Sequence, residues 1–137
     1  MSNRRVDVFF YGVLVDINAL SAAGVAPSNP RRACVDGYAL CIGQRATLVR
    51  SAGARAYGML FALTHNELDR LYAAPGLERY RPKAVLAQPL EGTPTPALCY
   101  VLPEAPHPDE RNPEYAARLQ RALSKLGFPG EYIASLS

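Results

Sequence analysis

Val6-Asp7-Val8-Phe9-Phe10-Tyr11-Gly12-Val13-Leu14 is the stretch on which the reading of this 137-residue sequence turns. Residues 6–11 are β-branched or aromatic around a single charge, the composition of a largely buried strand. Gly12 then breaks the apolar run, as happens where a backbone must turn or approach something closely. A strand ending in an aromatic followed by glycine can leave successive N–H groups unpaired and aimed at one point, which suits a carboxylate or a developing oxyanion. On the residues alone, the same pattern also reads as a plain glycine bulge in a core strand.

Working outward, Asp16 to Ala23 reads as a short helix, with Asp16 as N-cap and Gly24 placed to end it. Pro27 to Arg32 reads as a loop. Three strands follow: Val35–Ile42 around an Asp36-Gly37 irregularity, Ala46–Arg50, and Arg55–Leu63. The Ser51-Ala52-Gly53-Ala54 spacer between the last two suits a hairpin. Thr64 and Glu67 stand at capping-box spacing, which starts a helix near His65 that runs to about Tyr72 and stops by Pro75-Gly76. Ala84–Leu90 and Ala97–Leu102 read as two more strands across the turn-rich Glu91–Pro96 connection. Asn112-Pro113 supplies an N-cap with proline at the first helical position; Tyr115, Leu119, Ala122, Leu123 and Leu126 line one face, and Gly127 closes the helix. Pro129 to Leu136 allows a last short helix. Strand, helix, three strands, helix, two strands, helix is not a regular alternation, so the expected class is α+β with a mixed sheet able to close on itself.

Hydrophobic residues make up 49% and charged residues 20% of the chain, which excludes disordered and collagen-like classes. The length is close to the roughly 150 residues of one domain, so residues 1–137 are expected to form a single one. The longest apolar run, Val8 to Val15, is far below the roughly eighteen residues of a membrane span. Met1-Ser2-Asn3-Arg4-Arg5 carries no apolar leader core, so a cytoplasmic location and no membrane partner are expected. Cys34, Cys41 and Cys99 form no Cys-x-x-Cys pair and read as small buried hydrophobes in a reducing compartment. The net charge of +3 divides as +4 over residues 1–60 and −1 over 61–137, with Arg4-Arg5 and Arg31-Arg32 as the densest basic pairs. Nothing there forms the basic stripe of a nucleic-acid binder.

Metal hydrolysis fails on inventory, because His65 and His107 are the only histidines and neither stands in a ligand cluster. No Gly-x-Ser-x-Gly elbow and no phosphate-binding loop occurs. No metal and no cofactor are expected.

Several motifs in order resemble the gamma-glutamylcyclotransferase family. Tyr11-Gly12-Val13-Leu14 matches its opening Tyr-Gly-Ser/Thr-Leu at all but the third position. Ala56-Tyr57-Gly58-Met59-Leu60-Phe61 resembles its Gly-x-Leu/Val-Phe/Trp strand. Glu67-Leu68-Asp69-Arg70-Leu71 is similar to its Leu-Asp helix, Tyr80-Arg81 to its following strand start, and Leu98-Cys99-Tyr100-Val101 to a strand bearing a site tyrosine. Pro113-Glu114-Tyr115 and Gly127-Phe128-Pro129-Gly130-Glu131-Tyr132 resemble its carboxy-terminal pattern. The resemblance implies a small closed β-barrel flanked by about three helices, with a cavity near the exit of the first strand. It also implies a reaction that needs no cofactor: the α-amine of a gamma-glutamyl group attacks its own side-chain amide carbonyl, releasing 5-oxoproline and an amine or amino acid.

That reaction needs a base for the ammonium proton, donors for the oxyanion and an acid for the leaving amine. In the family, one glutamate in a Leu-Asp-x-x-Glu-Gly pattern is assigned the proton transfers. Here that position falls on Tyr72 and the next on Ala73, and a phenol with an ordinary pKa near 10 is a poor base at pH 7. Glu78, in the Pro75–Tyr80 loop, is the nearest substitute; it also reads as a solvated partner of Arg79 or Arg81. Val13 lacks the hydroxyl of Ser or Thr but keeps its N–H. The resemblance therefore implies Tyr11, Gly12, Val13, Leu14, Tyr80, Arg81 and Tyr100 as binding residues for an amino-acid-like ligand. The alternatives are a true cyclotransferase using Glu78 or a residue the sequence does not place, and a catalytically inactive ligand-binding or protein-interaction module on the same fold.

Overall fold

Residues 4–136 are described by the structure, a computed structural model. Met1–Asn3, where the leader was sought, lie outside the described residues, as does Ser137. The elements are β1 (Arg5–Phe10), α1 (Ile17–Ala22), β2 (Ser28–Ile42), β3 (Ala46–Thr64), α2 (His65–Tyr72), β4 (Arg81–Pro89), β5 (Thr95–Val101), α3 (Pro113–Leu126) and α4 (Gly130–Ala134). A 3-10 turn over Val13–Val15 separates β1 from α1.

The five strands form a closed barrel in the order β1-β3-β2-β4-β5, so the expected mixed, closed α+β architecture is observed. All pairings are antiparallel except the one that shuts the barrel, β1 with β5, where Val8 lies opposite Leu98. Closure removes the exposed edges that an open sheet would have to protect. β1 keeps an unbroken register with β3 from Arg5↔Thr64 to Phe10↔Met59. That pairing fixes where the opening strand ends, and so where Gly12 turns away.

Two expectations for the middle of the chain are corrected. Pro27–Arg32 is not a loop, because β2 begins at Ser28. Its turn-forming residues are drawn into the ladder through a register shift between Ser28 and Arg31, with Asn29 in the left-handed region at φ 53°. Arg31 is also held to the β1 carboxylate of Asp7. Nor is Ser51–Ala54 a hairpin turn; it lies within β3, which is a single 19-residue strand. Opposite it, only Gly37 separates Asp36, paired with Arg55, from Tyr38, paired with Arg50. The spacer is therefore a wide bulge, which bends and twists the strand rather than reversing it. The true reversal is Gly43–Arg45.

Each helix is terminated as its local sequence dictates. The Asp16 side chain accepts from the Asn18 N–H and caps α1, and Thr64 with Glu67 completes a reciprocal capping box at α2. Asn112 caps α3, and Gly127 ends it at φ 82°, a conformation other residues rarely adopt. Helices α2 and α3 lay Leu68, Leu71, Leu119 and Leu123 against Val8, Phe10 and Phe61 on one side of the barrel wall. Phe9, Leu60, Ala33, Ala87 and Cys99 fill its interior. Each large side chain so buried contributes about 1.5–3 kcal/mol. Among the described residues, no helix is long and apolar enough to cross a membrane, and no group of His, Cys, Asp or Glu could hold a metal ion.

Candidate functional site

β1 delivers Tyr11 and Gly12 to the mouth of the barrel, and a cavity of about 200 Å³ opens beside them. Its wall comes from five places. The β1 exit gives Phe9 to Leu14, the β2–β3 turn gives Gln44 to Ala46, the end of α2 and its loop give Tyr72, Leu77 and Tyr80, and Tyr100 and Tyr115 come from β5 and α3. No Asp or Glu is part of this wall.

Gly12 is required here by proximity, not by backbone angle. A Cβ at this position would lie 2.1 Å from the Tyr115 hydroxyl oxygen, while the glycine's φ of −108° is open to any residue. Asn112 fixes Tyr115 by accepting from its N–H at 3.1 Å. The Tyr115 hydroxyl in turn accepts from the Val13 N–H at 3.1 Å. Within the turn, the carbonyls of Gly12 and Val13 accept from Val15 and Asp16. The amides are thus divided: Val13 is committed to Tyr115, while no hydrogen bond to the Gly12 or Leu14 N–H is found among the described residues.

The tyrosines differ in what their hydroxyls do. Tyr11 donates to the Tyr100 carbonyl at 2.7 Å, tying β1 to β5, and offers the cavity its ring. The Tyr80 hydroxyl donates to the Ala46 carbonyl and pins the loop after α2 to the start of β3. Tyr72 stacks on Tyr100, with ring centroids 3.9 Å apart and planes 11° from parallel. Neither of those two hydroxyls has a hydrogen-bond partner among the described residues. Burial, followed by the neighbouring Cys99, pushes the pKa of Tyr11 and Tyr72 well above the ordinary phenol value. Burial also pushes Tyr80 up to about 12 and Cys99 up to about 12. At neutral pH these groups are protonated: donors and apolar surface, but not bases.

The structure brings Tyr11, Gly12, Val13, Leu14, Tyr72, Tyr80 and Tyr100 together on one cavity. It does not bring Glu78 or Arg81 there. Glu78 is exposed; its own backbone N–H first, then that of Gly76 and the Arg45 charge, hold its carboxyl below the usual range. Arg81 is exposed and donates to the carbonyls of Glu78 at 2.7 Å and Tyr80 at 3.0 Å, which fastens its own loop.

The sequence reading gave no site role to Arg45 or Tyr115. Tyr115 was legible as part of Pro113-Glu114-Tyr115, but its contact with Gly12 spans 102 residues. Arg45 carries no local signal, because it reaches the cavity only through the hairpin turn.

Residues 8–118 match the family model described as "Gamma-glutamyl cyclotransferase, AIG2-like". Among solved structures, one called "Gamma-glutamyl cyclotransferase" is similar at TM-score 0.79 and 18% identity, over 97% of this chain and 88% of that one. An uncharacterized protein from Homo sapiens is similar at TM-score 0.80 and 17% identity, over 98% and 89%. A gamma-glutamyl cyclotransferase from yeast, described as specific to glutathione, is similar at TM-score 0.69 and 14% identity, over 97% and 94%. Likeness at these identities speaks to the fold. No curated protein matches the chain in sequence.

Proposed function

Given that the chain belongs to the gamma-glutamyl cyclotransferase, AIG2-like family, we propose that its cavity binds a gamma-glutamyl amine or amino acid and holds it without efficient cyclisation. The observation that carries this reading is the composition of the cavity wall: two unpaired amides and a set of neutral tyrosines, among them Tyr72, where the motif resemblance puts the family's glutamate.

The Gly12 and Leu14 N–H groups, unpaired among the described residues, are the donors assigned here to a ligand carboxylate, which backbone amides can hold without a counter-charge. The free phenols of Tyr72 and Tyr100 present donors, and their rings cover the methylene chain of a glutamyl group. A volume near 200 Å³ accommodates that small half of the ligand. Cyclisation additionally requires the ammonium to lose its proton. A carboxylate at the place of Tyr72 would accept it; a phenol whose pKa burial has raised further does not at neutral pH.

The test is calorimetric titration of gamma-glutamylglycine and gamma-glutamylmethylamide, with 5-oxoproline assayed in the same mixtures. Saturable binding with 5-oxoproline at the uncatalysed background is the expected result. Absence of binding by every gamma-glutamyl compound would remove the ligand, leaving an interaction module on this fold. Rapid 5-oxoproline release would show that another group performs the proton transfers.

A further inference from the structure

We propose that Arg45 selects for ligands whose distal half, beyond the gamma-glutamyl amide, carries a carboxylate. This deepens the reading above and rests on it. A second, more polar hollow of about 400 Å³ adjoins the tyrosine cavity, and Gln44 and Arg45 line both. Because the two hollows share these residues, a ligand whose glutamyl half fills the inner cavity and whose distal half enters the outer one passes Arg45.

Arg45 is built into that position. Its backbone belongs to the Gly43–Arg45 reversal, which α3 and the loop before it clamp from outside. Glu110 accepts from the Gln44 N–H at 2.9 Å, and the Asn112 side chain donates to the Gln44 carbonyl at 3.1 Å. The guanidinium lies flat on Gly76, where a Cβ would stand 2.6 Å from one of its nitrogens. It makes no ion pair within 4 Å among the described residues, and the carboxylate its charge reaches is that of the exposed Glu78, so a ligand carboxylate would share the guanidinium with Glu78.

Arg45 is the cation shared by both hollows, and the other charges line the outer one alone. Arg79 adds a second cation there. Glu110 spends its oxygens on the backbone N–H groups of Gln44 and His107, at 2.9 and 2.7 Å. Glu104 lines the hollow as well and sets a charge limit on what enters. The guanidinium fork matches a carboxylate with two parallel hydrogen bonds, which a neutral amide substituent cannot exploit.

The experiment compares dissociation constants of gamma-glutamylglycine and gamma-glutamylmethylamide for wild type, Arg45→Gln and Arg45→Glu. Wild type is expected to favour the glycine compound by about tenfold, the low end for a charge-assisted pair because Arg45 is exposed. In Arg45→Gln the ratio falls to near one. In Arg45→Glu it moves toward a gamma-glutamyl amide of ethylenediamine, whose distal end is a cation. Equal binding of the two compounds by wild type, or a preference that survives Arg45→Gln, overturns the proposal while the ligand reading above stands. Failure of all three compounds to bind overturns both.

Discussion

The two ends of α2 lie within a few residues of each other yet handle charge in opposite ways. At the N-terminal end, Glu67 is buried, and burial works against its ionisation. The N–H groups of Thr64 and Ala26, the Thr64 hydroxyl and Arg5 outweigh that effect and hold its carboxyl below the usual range. The distances, 2.9 Å from Thr64 N and 2.8 Å from Ala26 N, give each of its oxygens a backbone donor and tie the carboxylate to the fold, away from the cavity wall. At the C-terminal end, Tyr72 faces the cavity with a free hydroxyl and no charge. The helix keeps a carboxylate where one holds β1, β3 and α2 together, while the side chain it gives to the cavity wall is the phenol of Tyr72; Asp69, whose charge reaches Tyr100, is exposed and lines no part of that wall. Residue type alone does not make a catalytic group; an acid saturated by donors is a structural part, whatever its burial.

Changes at the two ends should separate these roles. The largest effect is expected from Tyr72→Glu, which places a carboxylate on the cavity wall. It should raise 5-oxoproline formation from gamma-glutamyl compounds at least about a hundredfold over wild type, within the usual range for a positioned acid–base group. An unchanged rate would break the comparison, because the missing carboxylate would then not be what limits turnover. Glu67→Gln comes next, with a loss of on the order of 2 kcal/mol at pH 7 in urea unfolding. The sign of its pH dependence follows from the lowered folded-state pKa. The stabilisation is complete above the ordinary carboxylate pKa and fades as acid protonates the group, so variant and wild type should converge as the pH falls through the lowered folded-state pKa.

A smaller effect is expected at the turn. Tyr115→Phe removes the acceptor of the Val13 N–H and should cost about 1 kcal/mol of stability. Ligand affinity should change by less than tenfold, since the unpaired amides belong to Gly12 and Leu14. Glu78→Gln sits at the bottom of the scale. With its side chain exposed outside the cavity, binding should stay within about twofold of wild type. A loss of binding or of turnover on that change would return Glu78 to the site.

The opening strand and the capped helices were legible because each rests on local chemistry: β-branched runs, the Thr64–Glu67 spacing, Asn112-Pro113 and Gly127; the closed α+β barrel was legible from the order of elements and the family resemblance, since its closure is the long-range pairing of Val8 with Leu98. The errors fell where pairing overrides local preference. Ser28–Arg32 has turn residues, yet the β3 ladder claims it; Ser51–Ala54 has hairpin composition, yet a bulge opposite Gly37 absorbs it. At the site, Tyr11–Leu14, Tyr72, Tyr80 and Tyr100 were found through motifs carried on single elements. Arg45 and the Tyr115–Gly12 contact were not, since both arise from elements distant in sequence meeting at the barrel mouth. Glu78 is suggested by nearness along the chain and Arg81 by the Tyr80-Arg81 motif, and both side chains are exposed outside the cavity.

The most direct measurement is a crystal structure of the wild-type protein soaked with gamma-glutamylglycine. The account predicts an intact amide, with the glutamyl carboxylate within hydrogen-bond distance of the Gly12 and Leu14 N–H groups and the methylenes against Tyr72 and Tyr100. Density for 5-oxoproline in that cavity, or a ligand bound elsewhere with the cavity empty, would contradict it.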